Sequence, residues 1–574
     1  MFLAGAQTVP RLPIWLHLIG GVVIQKLIQE RNGMKTATAS HDRKLPGELS
    51  VQINEQEIDS IFDDLDQCEL PGVAVGIAVN GQPVYRKGFG LASIELPTLL
   101  TPSMRMRIAS VSKHFTCLAY LLLCEDGKAK LDDPLDKFIP ELHPVVRAVT
   151  ARQLMGNISG LRDVYDIYVR LNGLGAPASN SALLGMYSRL GDGNFSPGTT
   201  WSYNNGGWLL LTTIIEKLSG QSLEAFMQNR IFRPIGMHDS LVRRLDTDFV
   251  PNSATQHARD PSGTFVRRYW GLDNLVGAGA VVSTVDDMLR WLAHMDRPRV
   301  GSTATWSVMK SSQRLQNNTL TGYGCGLLND RYRGVETLWH GGNALGGNAQ
   351  MLKVPSAGLD IIIMSNRQDA SSVLLVEKVL DVCLSGLESA PSTSTVFVKG
   401  IFHSPKTNRV IQLFGKDGAQ MGAINGIELP FNSDADGVLR HQGVFREGRE
   451  GIRLLGDQIN PQTVEFLHFG NTEQLYAVKA APRAHASALI GCYYAEDIGT
   501  ELSVFEDSKG LRMKSSGPFG SITYNLECLA EGIWKARSDC PVYTQGVIFT
   551  QDRDGQTLRL CTYQTWSLPF QRRN

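Results

Sequence analysis

The chain has 574 residues, of which 43% are hydrophobic and 20% charged, and its 56 Lys and Arg balance its 56 Asp and Glu. This composition is typical of soluble globular proteins, and the length favours about three or four domains. The balanced charge argues against a nucleic-acid partner or a membrane surface. The nine cysteines form no C-x-x-C pair, which favours reduced thiols in the cytoplasm over disulfides or a zinc site.

The first 45 residues are treated separately. The apolar run Pro13–Ile24 is shorter than a membrane span, and His17 inside it makes it a poor secretory signal. We expect residues 1–45 to be a disordered extension, with Met34 as an alternative start. Export by a weak N-terminal signal is the competing interpretation.

Ser110 and Lys113 form the first chemical motif, S-x-x-K, at the start of an apolar helix. Residues three apart on a helix share one face, so the lysine amine can reach the serine oxygen. Serine is a weak nucleophile until a base takes its proton, and burial lowers the pKa of a lysine. A single S-x-x-K match arises easily by chance, so the motif needs partners elsewhere in the chain.

Two later motifs supply such partners. Tyr203 and Asn205 lie two apart on a polar loop that leads into a helix. A phenol can relay a proton if a nearby ammonium lowers its pKa. His340 ends an apolar run before Gly341 and Gly342, which predicts an edge strand where glycine permits a close approach of substrate. Taken singly, each has an ordinary structural interpretation, a half-buried aromatic or a satisfied histidine.

The elements indicate an α/β domain at 46–388 followed by two all-β domains. Strands at both ends of the first segment, with helices between, predict one antiparallel sheet flanked by helices plus a helical subdomain. Ser389–Thr395 reads as a linker. Short alternating runs with Asp-Gly and Asn-Gly turns predict antiparallel β-barrels at 396–480 and 485–574.

With these motifs in order, the chain resembles the penicillin-recognising serine hydrolases, the superfamily of class C β-lactamases and D,D-peptidases. Within it the chain is most similar to the bacterial D-aminopeptidase family, which also carries two trailing β domains. The matching stretches are Ser110 to Cys117, Ser159 to Asp163, Arg230 to Met237 and His340 to Gly342.

The resemblance implies roles for these residues. Ser110 would attack a carbonyl and form an acyl-enzyme. Lys113 and Tyr203 would manage the proton, with the identity of the acylation base left open, while Asn205 orients the lysine and His340 lines the cleft and assists proton transfer. The backbone N–H groups of Ser110 and Asn343 would form the oxyanion hole, with Gly342 contacting substrate; no metal or cofactor is implied.

The last barrel of the D-aminopeptidases sends a loop into the cleft. The matching stretch here is Ser515–Ser521, with Phe519 as its substrate contact, although an ordinary hairpin turn is the alternative. No acidic residue lies between Lys514 and Asn525 to pair with a substrate ammonium, which leaves the free-amine preference open. Further candidate pocket walls are Tyr269, Trp270 and the Asp163–Arg170 region.

The predicted function is release of an N-terminal D-amino acid from small peptides, amides or esters. A D,D-carboxypeptidase, an esterase and a class C-like β-lactamase are the alternatives within the same chemistry. A non-catalytic penicillin-binding or interaction protein is the alternative from another class. The expected partners are small molecules or short peptides containing D-amino acids, and a homodimer is a candidate assembly.

Overall fold

The computed structural model describes residues 49–173, 178–260, 262–267, 276–389, 397–434, 436–441, 449–481, 486–538 and 546–573. Within them an α/β domain is followed by two closed antiparallel barrels of eight strands each, which confirms the predicted fold class. The predicted extension and six of the seven linker residues lie outside the described residues, as do Tyr269 and Trp270.

A six-stranded antiparallel sheet organises the α/β domain. Its strands are β1 Val73–Val79, β2 Gln82–Phe89, β3 Leu328–Tyr332, β4 Val335–Ala344, β5 Gly347–Val354 and β6 Leu359–Ser365. They lie in the order β3-β4-β5-β6-β1-β2. Because β6 pairs with β1, with Ile361 opposite Ile77, the two ends of the domain meet in the middle of one sheet, as the sequence predicted.

Helices cover both faces of the sheet and form a helical subdomain beside it. The longer ones are α1 Lys113–Glu125, α2 Val164–Asn172, α3 Gly206–Ser219, α4 Val285–Asp296 and α5 Ser372–Cys383. The shorter ones are Glu55–Ser60, Pro144–Arg147, Ala151–Met155, Asn180–Tyr187, Leu223–Met227, Arg233–Ile235, Val276–Gly279 and Thr303–Lys310; one further short helix, Ala486–Leu489, precedes the second barrel. Successive strand residues face opposite sides, so Ile362 packs in the cluster of α4 whereas Ile361 packs in that of α5.

The two barrels follow in sequence order. The first has β7 Gly400–His403, β8 Val410–Lys416, β9 Ala419–Ile424, β10 Ile427–Ser433, β11 Leu439–His441, β12 Glu450–Leu455, β13 Thr463–His468 and β14 Asn471–Ala477. The second has β15 Gly491–Ala495, β16 Thr500–Asp507, β17 Gly510–Gly517, β18 Gly520–Ala530, β19 Ile533–Ser538, β20 Val547–Gln551, β21 Thr557–Cys561 and β22 Leu568–Arg573. Closure removes the free sheet edges that would otherwise pair with other chains.

The barrels differ in how their cores relate to the α/β domain. The core of the second barrel, including Tyr493 and Phe570, belongs to the same buried apolar cluster as α1 and α2. The first barrel has a separate core around Phe402 and Phe431. Its Phe469 instead lies in the cluster between the sheet and α5.

Candidate active site

Ser110 lies on a 3-10 turn, Ala109–Ser112, that runs directly into α1. Ala109 has a φ of +47°, a left-handed conformation that costs a residue with a Cβ roughly 1–2 kcal/mol. This turn leads the chain from the short strand Met106–Arg107 into the helix. The adjacent strand β4 approaches so closely that a Cβ on Gly342 would lie 2.0 Å from the Ile108 carbonyl oxygen.

The Lys113 amine lies 3.0 Å from Ser110 Oγ, as the S-x-x-K spacing predicted. It also donates to Asn205 Oδ1 at 2.8 Å and to the Ala278 carbonyl at 3.0 Å. Burial lowers the pKa of Lys113 to about 7, although the nearby Asp163 carboxyl opposes the shift. An amine with this pKa is partly neutral at neutral pH and can then accept a proton.

Asp163 holds Asn205 in place, a role that the sequence analysis did not predict for it. Its side chain caps α2 by accepting the backbone N–H groups of Tyr165 and Asp166. It also accepts the N–H of Asn205 at 2.6 Å and that of Gly206 at 3.1 Å. Burial raises the pKa of Asp163 to about 6, as does Asp166, while the backbone donors lower it. One carboxyl group thus connects the N-termini of α2 and α3, close to Lys113.

Tyr203 reaches the nucleophile from the other side. Its hydroxyl is hydrogen-bonded to the Ser110 side chain, and the Lys113 amine lies 4.8 Å from the centre of its ring. Burial nevertheless raises the pKa of the phenol well above its ordinary value, and the hydrogen bond to Ser110 only partly opposes this. Desolvation therefore sets the direction of the pKa shift, the nearby Asp163 carboxyl adds to it, and the phenol is neutral at neutral pH.

His340 lies beside the site but points its ring nitrogens elsewhere. Nδ1 lies 2.7 Å from the Gly341 carbonyl oxygen and must donate, so Nε2 accepts from the Tyr323 hydroxyl at 3.0 Å. Its ring centre is 6.5 Å from that of Tyr203. Burial lowers the pKa of His340 to about 3, helped by the charge of Lys113. A neutral ring with both nitrogens occupied is better suited to forming a wall than to carrying a proton.

The end of β4, which carries Gly341 and Gly342, forms an edge of the sheet beside Ser110. The pairing of β3 with β4 ends where Leu328 faces Trp339, so β4 continues from His340 to Ala344 beyond the end of that neighbour. Gly342 is buried against the Ile108–Ser110 backbone, while Asn343 is exposed. Gly342 therefore permits the close approach of strand and turn. Its predicted contact with substrate, and the oxyanion role of Asn343, stay predictions.

Phe519 lies on the tight turn between β17 and β18, on the second barrel. Its ring packs 5.5 Å from that of Tyr168, and its N–H donates to Asn172 Oδ1 at 3.3 Å. Both contacts are on the C-terminal half of α2, whereas Asp163 caps the N-terminus of this helix. The predicted role of Phe519 in substrate binding is not supported by a direct contact with Ser110, Lys113 or Tyr203, and it stays a prediction.

A second connection to the site comes from the first barrel, which the sequence did not indicate. Phe469 stacks on Trp201, with ring centres 3.6 Å apart and planes at 14°. Trp201 in turn lies 6.2 Å from Tyr203 and 5.7 Å from Tyr323. The sequence feature that could have indicated this contact is the pair of aromatic residues Trp201 and Tyr203 on the loop that carries Asn205. Two large aromatic side chains this close together need an apolar partner to cover them.

Two general properties of the described residues complete the picture. No three His, Cys, Asp or Glu side chains are grouped there closely enough to hold a metal ion. Within the same ranges no helix combines the length and apolar character needed to cross a membrane.

The Beta-lactamase family model matches residues 58–382, more than half of the chain. Together with the fold and with the convergence of Ser110, Lys113, Tyr203 and Asn205, this defines a hydrolase of the serine β-lactamase and penicillin-binding superfamily. The chain belongs to the Beta-lactamase family.

Among relatives of known name, the D-aminopeptidase of Brucella canis is 30% identical over 478 residues, covering 81% of this chain and 87% of that protein. The D-aminopeptidase of Brucella melitensis biotype 2 is 28% identical with the same coverage. This coverage extends well beyond the family match, into the barrel region.

Two solved structures share the fold. An octameric penicillin-binding protein homologue from Pyrococcus abyssi covers 73% of this chain and 98% of its own, with a TM-score of 0.52 and 20% identity. The D-amino acid amidase from Ochrobactrum anthropi SV3 covers 57% of this chain and 98% of its own, with a TM-score of 0.50 and 23% identity. At these identities the likeness extends to the fold alone.

Proposed function

We propose that the chain is a serine hydrolase that forms an acyl-enzyme at Ser110 and releases an N-terminal D-amino acid from small peptides, amides or esters. The observation that carries this is the buried Lys113 amine, with a pKa of about 7, lying 3.0 Å from Ser110 Oγ. An amine that is neutral at working pH is the base that a serine nucleophile needs. The D-aminopeptidase relatives support the substrate class.

Acylation begins when Lys113 takes the hydroxyl proton of Ser110. The Ser110 oxygen attacks the substrate carbonyl, and the tetrahedral intermediate collapses with cleavage of the bond to the leaving amine or alcohol. The leaving group takes a proton, which the Tyr203 hydroxyl relays from the Lys113 ammonium. A water molecule then attacks the ester, which releases the D-amino acid and restores Ser110.

The proton balance favours Lys113 as the acylation base and Tyr203 as the relay. The pKa of Tyr203 is raised by burial, so a phenolate at neutral pH is costly, whereas the pKa of Lys113 is lowered to about 7. Asn205 accepts from the amine at 2.8 Å and keeps it aimed at the nucleophile. His340, whose nitrogens are occupied by Tyr323 and Gly341, forms a wall of the cleft.

The developing negative charge requires hydrogen-bond donors. We assign the oxyanion hole to the backbone N–H groups of Ser110 and Asn343, with each donor worth about 3–4 kcal/mol in the transition state. Ser110 lies just before α1, where free N–H groups and the helix dipole favour negative charge. The close packing of Gly342 on the Ile108–Ser110 backbone supports this assignment, because it brings the next residue of β4 near the nucleophile.

The direct test is turnover of D-alanine and L-alanine p-nitroanilides by the purified full chain. We expect hydrolysis of the D form and at least tenfold slower hydrolysis of the L form, roughly the selectivity of a modest pocket difference. Ser110→Ala should lower kcat by at least about a thousandfold. Ser103→Ala, an exposed serine on a neighbouring turn, is the matched control. Equal turnover of both forms, or none of the D form, would overturn the proposal.

The other activities of the same chemistry are outcomes of a wider panel. Release of D-alanine from a peptide ending in D-alanyl-D-alanine would indicate a D,D-carboxypeptidase. Rapid hydrolysis of labelled penicillin would indicate a β-lactamase, and turnover of simple esters alone would indicate an esterase. Binding of penicillin that survives Ser110→Ala without any turnover would indicate a non-catalytic protein.

A further inference from the structure

The turn between β13 and β14 of the first barrel enters the α/β domain beside the Tyr203 loop. Phe469 and Gly470 form it with φ values of 44° and 88°. Phe469 is fully buried and stacks on Trp201. Asn471 donates to the Thr199 carbonyl at 2.7 Å. This turn therefore contacts the start of the segment that carries Tyr203 and Asn205.

His468 adds a polar contact at the base of the same turn. Its Nε2 lies 2.8 Å from the Trp201 carbonyl oxygen and, since that oxygen can only accept, it donates there. Its Nδ1 is in close contact with Glu450 Oε1. The ring is thus held between a buried carboxylate on one side and the backbone of the α/β domain on the other.

Glu450 is itself fixed by both barrels. His441 Nε2 lies 2.9 Å from Glu450 Oε2, and the Tyr563 hydroxyl of the second barrel donates to the carboxylate at 2.6 Å. Burial alone would raise the pKa of Glu450, but the two histidines hold it well below its ordinary value. An ionised, multiply bonded carboxylate is a rigid anchor for the His468 ring.

We propose that His468 is a positioning residue, which sets the location of the Tyr203 hydroxyl by holding the carbonyl of Trp201. Trp201 precedes Tyr203 by two residues, and its own ring is clamped by Phe469. Catalysis is sensitive to displacements of the order of 1 Å in such groups. The inference rests on the proposed function, since it gives Tyr203 a role in proton transfer.

The test compares His468→Gln with His468→Asn in the full chain. The glutamine amide nitrogen lies where Nε2 was and can still donate to Trp201. The asparagine nitrogen lies where Nδ1 was and reaches only toward Glu450. Both variants lose the ring, and only the glutamine keeps a donor toward Trp201. A lower kcat for the asparagine variant therefore assigns the effect to the bond to Trp201 rather than to the contact with Glu450.

We expect His468→Asn to lower kcat for the D-alanine anilide by roughly tenfold or more with KM changed less than threefold. His468→Gln should stay within about threefold of wild type. Glu428→Gln is the matched control, because this carboxylate of the same barrel pairs with Lys535 and Arg537 of the second barrel instead. Equal kcat values for the Asn and Gln variants would overturn the proposal.

Two measures keep the test decisive. Thermal unfolding shows whether each variant folds; if His468→Asn does not, Glu450→Gln loosens the ring without removing it and should lower kcat severalfold, while an unchanged kcat would contradict the role. The rate of Ser110 labelling by a fluorophosphonate is measured in parallel. If wild type labels but does not cleave the anilide, the proposed function fails, while the labelling rates of the Asn and Gln variants still judge the positioning role.

Discussion

The two barrels have the same strand plan but contact the α/β domain in different ways. The second shares one apolar cluster with α1 and α2, and its Tyr524 hydroxyl donates to the Arg170 carbonyl on α2. The first keeps its own core and contacts the domain through the turn at Phe469 and through Arg449, which donates to the Asn329 carbonyl at 2.8 Å. One barrel is thus joined by a broad surface, and the other by one aromatic side chain with a few hydrogen bonds.

The difference shows that contact area and influence on a site need not coincide. The broad contact of the second barrel reaches the site through α2, whose N-terminal cap is Asp163. The narrow contact of the first barrel lies two residues from Tyr203, through Trp201. Substitutions along each route separate what the two barrels do.

The largest loss of activity is expected for substitution of Asp163, through which the second barrel and α2 are connected to the site. Asp163→Asn replaces an oxygen that accepts N–H groups with an amide that donates, and each buried donor left without a partner costs about 1–3 kcal/mol. Oδ2 accepts the N–H of Asn205, whereas Oδ1 accepts that of Gly206, so when the amide nitrogen takes the place of Oδ2 the N–H of Asn205 is left without a partner. We expect denaturant unfolding to show this loss, and kcat to fall by roughly a hundredfold as Asn205 moves.

The control for this substitution is Asp126→Asn, which removes a partly exposed pair with Arg230. It should cost at most about 1 kcal/mol and leave kcat unchanged. If Asp163→Asn keeps wild-type kcat, the two helix N-termini do not depend on that carboxylate, and the link from α2 to the site is wrong.

The next effect tests the route from the first barrel. Phe469→Ala should destabilise the protein by about 3–5 kcal/mol, as is usual for a buried phenylalanine, and lower kcat about tenfold because Trp201 loses its stacking partner. Phe402→Ala removes an equally buried ring from the barrel's own core and should cost similar stability without lowering kcat. Equal kcat for the two variants at a temperature where both are folded would contradict the link.

The midpoint of the pH profile of kcat/KM should not change when contacts of either barrel are altered. Burial lowers the pKa of Lys113 to about 7, and only the neutral amine can take the Ser110 proton. We therefore expect kcat/KM to rise with pH, falling about tenfold per unit below pH 7 and levelling above it. The measurement is kcat/KM for the D-alanine anilide from pH 5.5 to 9.

The controls for the pH profile are the barrel variants and His340. Phe469 contacts Trp201 rather than Lys113, so its variant should shift the height of the curve and not its midpoint. His340, whose pKa is about 3, does not account for a midpoint near 7, and His340→Gln should retain it. A midpoint near the ordinary pKa of lysine would show that Lys113 is not the base.

What the sequence could predict depended on how far apart the interacting residues lie. The Ser110–Lys113 contact follows from helical spacing, and the barrel strands follow from alternation and turn residues. The bond from Asp163 to Asn205 joins residues 42 positions apart, and no local pattern specifies it. Asp163 nevertheless carries a readable signal, since aspartate is a preferred N-cap before a helix.

Other properties of the site could not be predicted from the sequence, because the burial of the side chains was not known in advance. A proton relay through Tyr203 was expected if a nearby ammonium lowered the pKa of the phenol, but desolvation raises that pKa. His340 was expected to line the cleft and assist proton transfer, and this role stays a prediction. The hydrogen bond between its Nε2 and Tyr323 could not be predicted, because Tyr323 lies in no recognised motif. The turn at Phe469 resembles any other tight turn of a barrel until its partner Trp201 is known.

The smallest effect is expected at the outer end of the route from the second barrel. Phe519 is half-buried on Tyr168, and its backbone bond to Asn172 survives substitution by alanine. We expect Phe519→Ala to cost about 1 kcal/mol of stability. The kcat and KM for the anilides of D-alanine and D-phenylalanine should change less than threefold, since its contacts with Tyr168 and Asn172 lie about 7 and 13 Å along α2 from Asp163. If turnover of the larger substrate alone improved, Phe519 would instead narrow the cleft, as the resemblance to the D-aminopeptidases implies, and the second barrel would act on the site directly rather than through α2.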